Sequence, residues 1–345
     1  MANNLPEFTQ ELINQIKNSN RVILFLHLSP DLDSIGSNIG FLNFIENVNP
    51  TIETKILSKD EPSENIYLKI KELTGNKLEI ADPQSYKYEE GDLAIFIDFP
   101  EIQRTTNNKD FKLPEYVKTV VIDHHVFETE PPFLNYIETK NLSAASLVYE
   151  INKQANFVLK KDYFEFILMG MLGDSGFLKH RDQKFVQSLT VIQKYCEEFG
   201  NENYFKIIDF LESHKPLEEY NLQKVYLNNL VYKNNFAYTS MTNNDRKNAG
   251  VSHTFSETTN GASLIRNIGE SKFVFSVTQD LDDENLYRVS FRSCLGENFQ
   301  VRDMAVKLGG GGHLLAAGAQ FEASNVESAI NLVLQTVHEL NGFWG

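Results

Sequence analysis

Cysteine is scarce in this chain: Cys196 and Cys294 are the only two in 345 residues. A fold stapled by a disulfide framework is therefore excluded, and a reducing cytoplasm is the expected location. Positive charge is also in short supply, with 32 lysines and arginines against 47 aspartates and glutamates and a net charge of -15. Holding a long nucleic acid by blanket phosphate neutralisation needs a basic surface, so no such partner is expected, whereas a small phosphorylated ligand in a local site remains compatible. No window approaches the roughly 18 apolar residues of a membrane span. The N-terminal stretch MANNLPEFTQELINQIKNSN has no basic head followed by an apolar core, so neither a secretory signal nor a membrane partner is expected. Low-complexity tracts are missing too, and the hydrophobic fraction of 41% is that of a globular protein.

The length suffices for two domains, each with its own core. RVILFLH, TKILS, DLAIFIDF and KTVVID read as short buried strands, separated by stretches of helical spacing such as SIGSNIGFLNFIENV. Strands alternating with helices predict an α/β fold whose N-terminal sheet is mainly parallel and flanked by helices. In such folds ligands gather at the carboxyl ends of the strands.

From about residue 143 the pattern turns helical through SAASLVYEINKQ, DYFEFILMGMLGD, QSLTVIQKYCEEFG and EEYNLQKVYLNNLVYKN. Strand-like FAYTSMT, KFVFSVTQD and YRVSFRS follow, then a last helical stretch, NVESAINLVLQTVHEL. The expected division is a first domain over 1–215, a helical linker over 216–235 and a smaller α+β domain over 236–345.

The polar residues at the strand ends are of one kind. The first strand runs into His27, with Asp31 and Asp33 just beyond it; LAIFID ends in Asp98; TVVID runs into Asp123, His124 and His125. A fourth segment, MGMLGDSGF, adds Asp174 between Gly173 and Gly176. Taken singly, Asp33 is an ordinary helix cap and Asp98 an ordinary turn residue. Their convergence on one sheet edge is what points elsewhere, because clustered carboxylates repel unless cations neutralise them. Histidine mixed with aspartate suits Mn²⁺ or Mg²⁺ better than structural zinc. Six ligands exceed the need of one catalytic ion with open positions, which predicts a two-cation site bridged by a carboxylate and phosphoester or phosphoanhydride hydrolysis as its chemistry.

The second domain carries LGGGGHLLAAGAQF, with glycines at 309–312 followed by His313. Such a loop can aim backbone amides at an anion, with a helical LLAAG behind it adding its dipole. Just upstream, Arg292 alternates with Ser290 and Cys294 on one face of a strand and offers a fork suited to phosphate. Lys179, His180 and Arg181, close behind Asp174, and Arg104 are weaker candidates for a positive rim.

Five of these segments in order, HLSPDLDSIGS, IFIDFP, VIDHH, GDSGF and GGGGHLLAAG, resemble the DHH superfamily of phosphoesterases with its DHH-associated C-terminal domain. The likeness runs from about residue 20 to 340 and is strongest to the bacterial nano-RNase and pAp-phosphatase group. It implies an active site in the interdomain cleft and two divalent cations, Mn²⁺ first, with Mg²⁺ or Co²⁺ as substitutes. In that scheme His27 and Asp31 bind one ion, Asp33, His124 and Asp174 the other, and Asp98 bridges both. His125 would stand beside the scissile phosphate, with Asp123 orienting the cluster. Arg292, Ser293, Gly310, Gly311, Gly312 and His313 would grip the substrate's terminal phosphate or nucleotide. Leu32 stands where glycine is frequent and Ser175 where threonine is common, and neither change removes a ligand.

The implied reaction is hydrolysis of short RNA or DNA oligonucleotides to mononucleotides, with 3'-phosphoadenosine 5'-phosphate as a second substrate. Cyclic or linear dinucleotide cleavage, single-strand exonuclease action and pyrophosphate or polyphosphate hydrolysis are the alternatives. A vestigial nucleotide-binding regulator would have lost a ligand, and all six are present. A homodimer is left open.

Overall fold

The computed structural model describes residues 4–108, 110–125, 133–179, 185–212, 216–233, 235–252 and 260–341. The chain divides into two compact units, Met1–Ser213 and His214–Gly345.

In the first unit six strands, β1 (Arg21–Phe25), β2 (Glu53–Ser58), β3 (Leu78–Ile80), β4 (Asp92–Ile97), β5 (Lys118–Asp123) and β6 (Leu134–Ile137), form one sheet in the order β3-β2-β1-β4-β5-β6. Every neighbouring pair is parallel. The helices are α1 (Leu5–Lys17), α2 (Leu32–Val48), α3 (Glu64–Thr74), α4 (Ala144–Gln154), α5 (Lys161–Asp174), α6 (Phe185–Phe199) and α7 (Asn201–Glu212).

The central strands read as unbroken apolar runs because both of their faces are covered. Val22 and Leu24 of β1 face a core shared with α1, α2, α4 and α5. Ile23 and Phe25 face a second core, built with Tyr88, Phe99 and Ile102 from the connecting segments. The order steps outward from β1 through β2 on one side and from β4 through β5 on the other. That reversal is the place where an open parallel sheet leaves a crevice at its strand ends.

α2 is buried along nearly its whole length, from Asp33 to Ile45. Its close crossing with α5 depends on missing side chains. A Cβ on Gly36 would lie 2.3 Å from the Phe166 carbonyl oxygen, and one on Gly170 would lie 2.6 Å from the Ala145 Cβ. Glycine here lets two backbones meet, and the carboxyl end of α5 is thereby drawn to the start of α2.

The second unit holds α8 (Leu217–Asn228), β7 (Val231–Tyr232), β8 (Phe236–Met241), α9 (Asn243–Asn248), α10 (Gly261–Leu264), β9 (Phe273–Gln279), β10 (Leu286–Ser293), α11 (Arg302–Lys307), β11 (Gly311–Gly312), β12 (Ala316–Glu322) and α12 (Val326–Asn341). Its sheet runs β11-β12-β10-β9-β8-β7, antiparallel except for the pair β8 and β9.

Two local expectations change. The helix read through residue 234 stops at Asn228, where the Asn229 side-chain Nδ2 donates to the Ser240 carbonyl at 3.0 Å and the chain turns into β7. LLAAG is not helical: Ala316–Glu322 is strand β12, so no helix dipole stands behind the glycine loop. Small residues there serve close backbone approach instead, since a Cβ on Gly318 would lie 2.8 Å from the Val289 carbonyl oxygen.

Candidate metal centre

The site begins where β1 and β4 end. His27 lies two residues past β1 and is 6% exposed. Its Nδ1 faces the Leu28 carbonyl at 2.8 Å, which makes that nitrogen the donor and leaves the Nε2 lone pair for the cluster. Nε2 stands 3.5 Å from Asp98 Oδ2 and 3.7 Å from Asp31 Oδ1. The Phe99 ring meets the imidazole edge-on and holds its plane.

Asp31 is the N-cap of α2, its Oδ1 accepting the backbone N–H of Asp33 and Ser34 at 3.0 and 2.9 Å. With 58% of its side chain exposed, it is the candidate ligand nearest solvent. Asp33, in the first turn of the same helix, is buried. Its two oxygens accept the N–H groups of Ala144 and Ala145 at 2.6 and 2.9 Å.

Asp98 follows β4 directly and has φ of 80°, a left-handed conformation uncommon for a residue with a side chain. Its N–H still donates to the Ile122 carbonyl at 3.0 Å, so the strained residue is tied to β5. Strain kept by the surrounding ladder is a mark of functional placement. Asp98 Oδ1 is buried and accepts no hydrogen bond among the described residues.

His124, just past β5, points Nδ1 at the Asn141 carbonyl at 3.4 Å. Its Nε2 lies 3.2 Å from Asp174 Oδ2, 3.4 Å from Asp98 Oδ1 and 3.6 Å from Asp33 Oδ2. Asp174 ends α5 and is 28% exposed. His125 places Nδ1 2.8 Å from Asp123 Oδ1 and 3.7 Å from Asp98 Oδ1.

The predicted residues thus meet in three overlapping groups, His27 with Asp31 and Asp98, Asp33 with His124 and Asp174, and Asp98 with His124 and His125. Within each, the ligand atoms lie within 4.8 Å of one another. Asp98 belongs to two groups and touches histidines on both sides.

Charge is the dominant property of this cluster. Burial works against the His27 imidazolium, yet Asp31 and Asp98 outweigh it and lift its pKa to about 10. Burial likewise opposes a charged His124, and Asp174 with Asp98 raises it well above the usual range. Asp33 is raised well above an ordinary carboxyl by burial and then by the charges of Asp98 and Asp174. Burial also raises Asp174, partly opposed by His124. Asp98 moves the other way: burial would raise it, but His124 and His27 hold it below the carboxylate range. Four carboxylates at one buried edge need positive charge. The oxygen-rich donor set with imidazole and no thiolate, together with the hydrogen-bond-free Asp98 Oδ1, fits hard divalent cations such as Mn²⁺ or Mg²⁺.

In the second unit, Arg292 on β10 donates from Nε to Ser263 Oγ at 3.2 Å and from Nη1 to the Phe291 carbonyl at 2.9 Å. Burial and the neighbouring Arg266 lower its pKa. Ser293 requires a correction: it is wholly buried on the opposite face of β10, with its hydroxyl donating to the Gly296 carbonyl at 3.0 Å. Strand alternation turns it inward, and its side chain does not join the Arg292 surface.

The glycine loop also has structural duties. Gly309, at φ of 81°, terminates α11, and a Cβ on Gly310 would lie 2.1 Å from the Gly318 carbonyl oxygen. Gly312 has φ of 127°, and His313 N–H donates to the Ala316 carbonyl at 2.8 Å to close the hairpin. At Gly311 a Cβ would meet nothing within 4 Å, so packing does not require glycine there.

Arg104 is exposed, and its carbonyl accepts the Leu28 N–H at 2.8 Å beside the loop after β1. The Lys179 ammonium lies over the Phe177 ring, whereas His180 and Arg181 fall outside the described residues. Sequence reading missed the amides of Ala144 and Ala145, the Asn141 carbonyl and Gly170. The one available signal was NLSAAS, where Ser143 caps α4 in a reciprocal pair with Ser146.

Two family models match the chain, the DHH family N-terminal domain over residues 21–171 and the DHHA1 domain over residues 234–339. The bifunctional oligoribonuclease and PAP phosphatase NrnA of Bacillus subtilis is 26% identical, the match covering 95% of this chain and 97% of that protein. A probable manganese-dependent inorganic pyrophosphatase of Lactococcus lactis is 27% identical over 53% of this chain and 59% of its own length. Among solved structures, an exopolyphosphatase-related protein from Bacteroides fragilis superposes with a TM-score of 0.81 at 18% identity, covering 98% of this chain and 97% of that one.

Proposed function

Because the chain belongs to the DHH family and couples that domain to a DHHA1 domain, we propose that it is a divalent-cation-dependent phosphodiesterase. Its proposed substrates are short oligonucleotides, cleaved to mononucleotides, and 3'-phosphoadenosine 5'-phosphate, which loses one phosphate. The observation that carries this reading is the meeting of His27, Asp31, Asp33, Asp98, His124 and Asp174 at the ends of β1, β4, β5 and α5.

Two cations held there would make bound water acidic and neutralise the charge that builds on a phosphorus centre. His27 and Asp31 would hold one, Asp33, His124 and Asp174 the other, and Asp98 both. His125 is anchored through Nδ1 on Asp123, and its imidazole would serve a leaving-group oxygen. In the second unit, Arg292 would bind a substrate phosphate through its guanidinium, and Gly311 with His313 would approach it along the hairpin.

Coverage favours oligonucleotides over pyrophosphate. The match to the oligoribonuclease spans both units, whereas the match to the pyrophosphatase spans about half of the chain. The net charge of -15 argues against long strands held by a basic surface.

The test is product release by the purified protein with Mn²⁺, comparing dinucleotides to pentanucleotides, 3'-phosphoadenosine 5'-phosphate, pyrophosphate and a long single strand. Mononucleotide release from the short RNA is the expected result. Activity confined to pyrophosphate or to the long strand would overturn the substrate assignment.

A further inference from the structure

Asp33 is the point at which three helices of the first unit meet. It lies in the first turn of α2, its two oxygens take the first two N–H groups of α4, and Gly170 of α5 leaves the space it fills. A Cβ on Gly170 would stand 3.0 Å from Asp33 Oδ1 and 2.6 Å from the Ala145 Cβ.

Capping alone does not account for this arrangement. α4 already has its own N-cap, Ser143, whose Oγ accepts the Ser146 N–H at 3.1 Å while Ser146 Oγ returns the contact. The two remaining amides take one carboxylate oxygen each, in charge-assisted bonds that favour an anion at this helix start. The same carboxylate sets a further negative charge beside Asp98 and Asp174, which is unfavourable unless that charge has a second use. That use is visible in Oδ2, which lies 3.6 Å from His124 Nε2 while holding the Ala144 N–H.

We infer that the first turn of α4 and the bare backbone of Gly170 form a slot that fixes the Asp33 carboxylate as a cation ligand. Ser143, Ala144 and Gly170 are then positioning residues, acting through Asp33. The inference rests on the cation-dependent reading above and adds to it the reason why one ligand is held rigid before any cation arrives. Two amide donors at 2.6 and 2.9 Å set both the position and the rotation of the carboxylate plane. Outer contacts of this kind commonly change metal affinity by about 10-fold to 100-fold.

Ala144→Pro removes one of the two donors. Proline's fixed φ suits the first helical position, while its Cδ takes the place of an N–H that meets Asp33 Oδ2 at 2.6 Å, so the variant also displaces the carboxylate. Ser143, at φ -159° and ψ 160°, already has the extended backbone that a residue before proline adopts. The full chain is titrated with Mn²⁺ by calorimetry, with circular dichroism and thermal melting read in parallel. The expected result is two bound ions in the parent chain and, in the folded variant, one of the two weakened by about 10-fold to 100-fold with the other unchanged.

Unchanged affinities in folded Ala144→Pro would overturn the slot. If that variant does not fold, Ser143→Ala and Ser143→Thr replace it: weakening of one ion by alanine and its recovery by threonine supports the slot, and equal affinities in both overturn it. Fewer than two ions in the parent chain would instead overturn the two-cation reading on which the slot rests, a failure visible before any variant is made.

Discussion

Oδ1 of Asp123 accepts the backbone N–H of His124 at 2.8 Å and lies 2.8 Å from Nδ1 of the adjacent His125. One buried oxygen therefore sets the chain direction at the first histidine and the ring orientation of the second. Its partner, Oδ2, has no hydrogen bond among the described residues, so the whole anchoring falls on one atom.

Asp123→Asn keeps the side-chain shape and removes the charge behind His125. Turnover is expected to fall about 10-fold to 100-fold, the usual range for outer partners of a site. Bound cation and KM should change little. Steady-state kinetics with metal analysis checks both, and an unchanged kcat would remove this pair from the reaction.

Asp98→Ala deletes the carboxylate that lies within 3.5 Å of both His27 and His124. Cation stabilisation of a developing charge is worth several kcal/mol, so kcat should drop by about a thousandfold. Mn²⁺ titration should show both ions weakened together. Loss of only one would place the shared role elsewhere.

Arg292→Ala removes a guanidinium whose present partners, Ser263 and Phe291, leave the remainder of its fork available. Hydrogen bonds to charged groups contribute about 1.5–3 kcal/mol, which corresponds to roughly a 10-fold to 100-fold rise in KM. Mn²⁺ affinity should be unaffected, because all the proposed cation ligands lie in the first unit. A normal KM for short RNA would end the phosphate-binding role of Arg292.

The neighbours Gly310 and Gly311 should behave oppositely when changed to alanine. At Gly310 the new Cβ would collide with backbone on β12, and a loss of about 1–3 kcal/mol of stability is expected. At Gly311 the Cβ meets nothing, so the melting temperature should hold while KM rises. Thermal melting and kinetics on both variants separate the packing glycine from the one proposed to approach substrate.

Much of the candidate metal centre could be read from residue order. His27, Asp98 and His124 each follow an apolar run, and strand ends are recognisable because burial on both faces leaves a continuous hydrophobic signal. The second unit was less legible. LLAAG, residues 314–318, reads as helical because small residues have no strong local preference for sheet, and pairing with β10 puts Ala316–Glu322 in a strand instead. Ser293 was read with Arg292 as a substrate contact, although strand alternation turns neighbours to opposite faces.

The sequence by itself determined the strand ends and the inventory of imidazoles and carboxylates, since these follow from local periodicity; it offered Asp33 as the cap of α2, and the structure puts the cap two residues earlier, at Asp31. Only the tertiary structure decided which of them meet. Asp174 reaches His124, and Asp33 reaches α4, because α2 and α5 cross at Gly36 and Gly170 with no side chain between their backbones. That approach joins segments more than a hundred residues apart, and no local pattern of apolar residues encodes it. The left-handed backbone at Asp98 is of the same kind: an aspartate adopts φ of 80° there because the parallel pairing of β4 with β5 holds it.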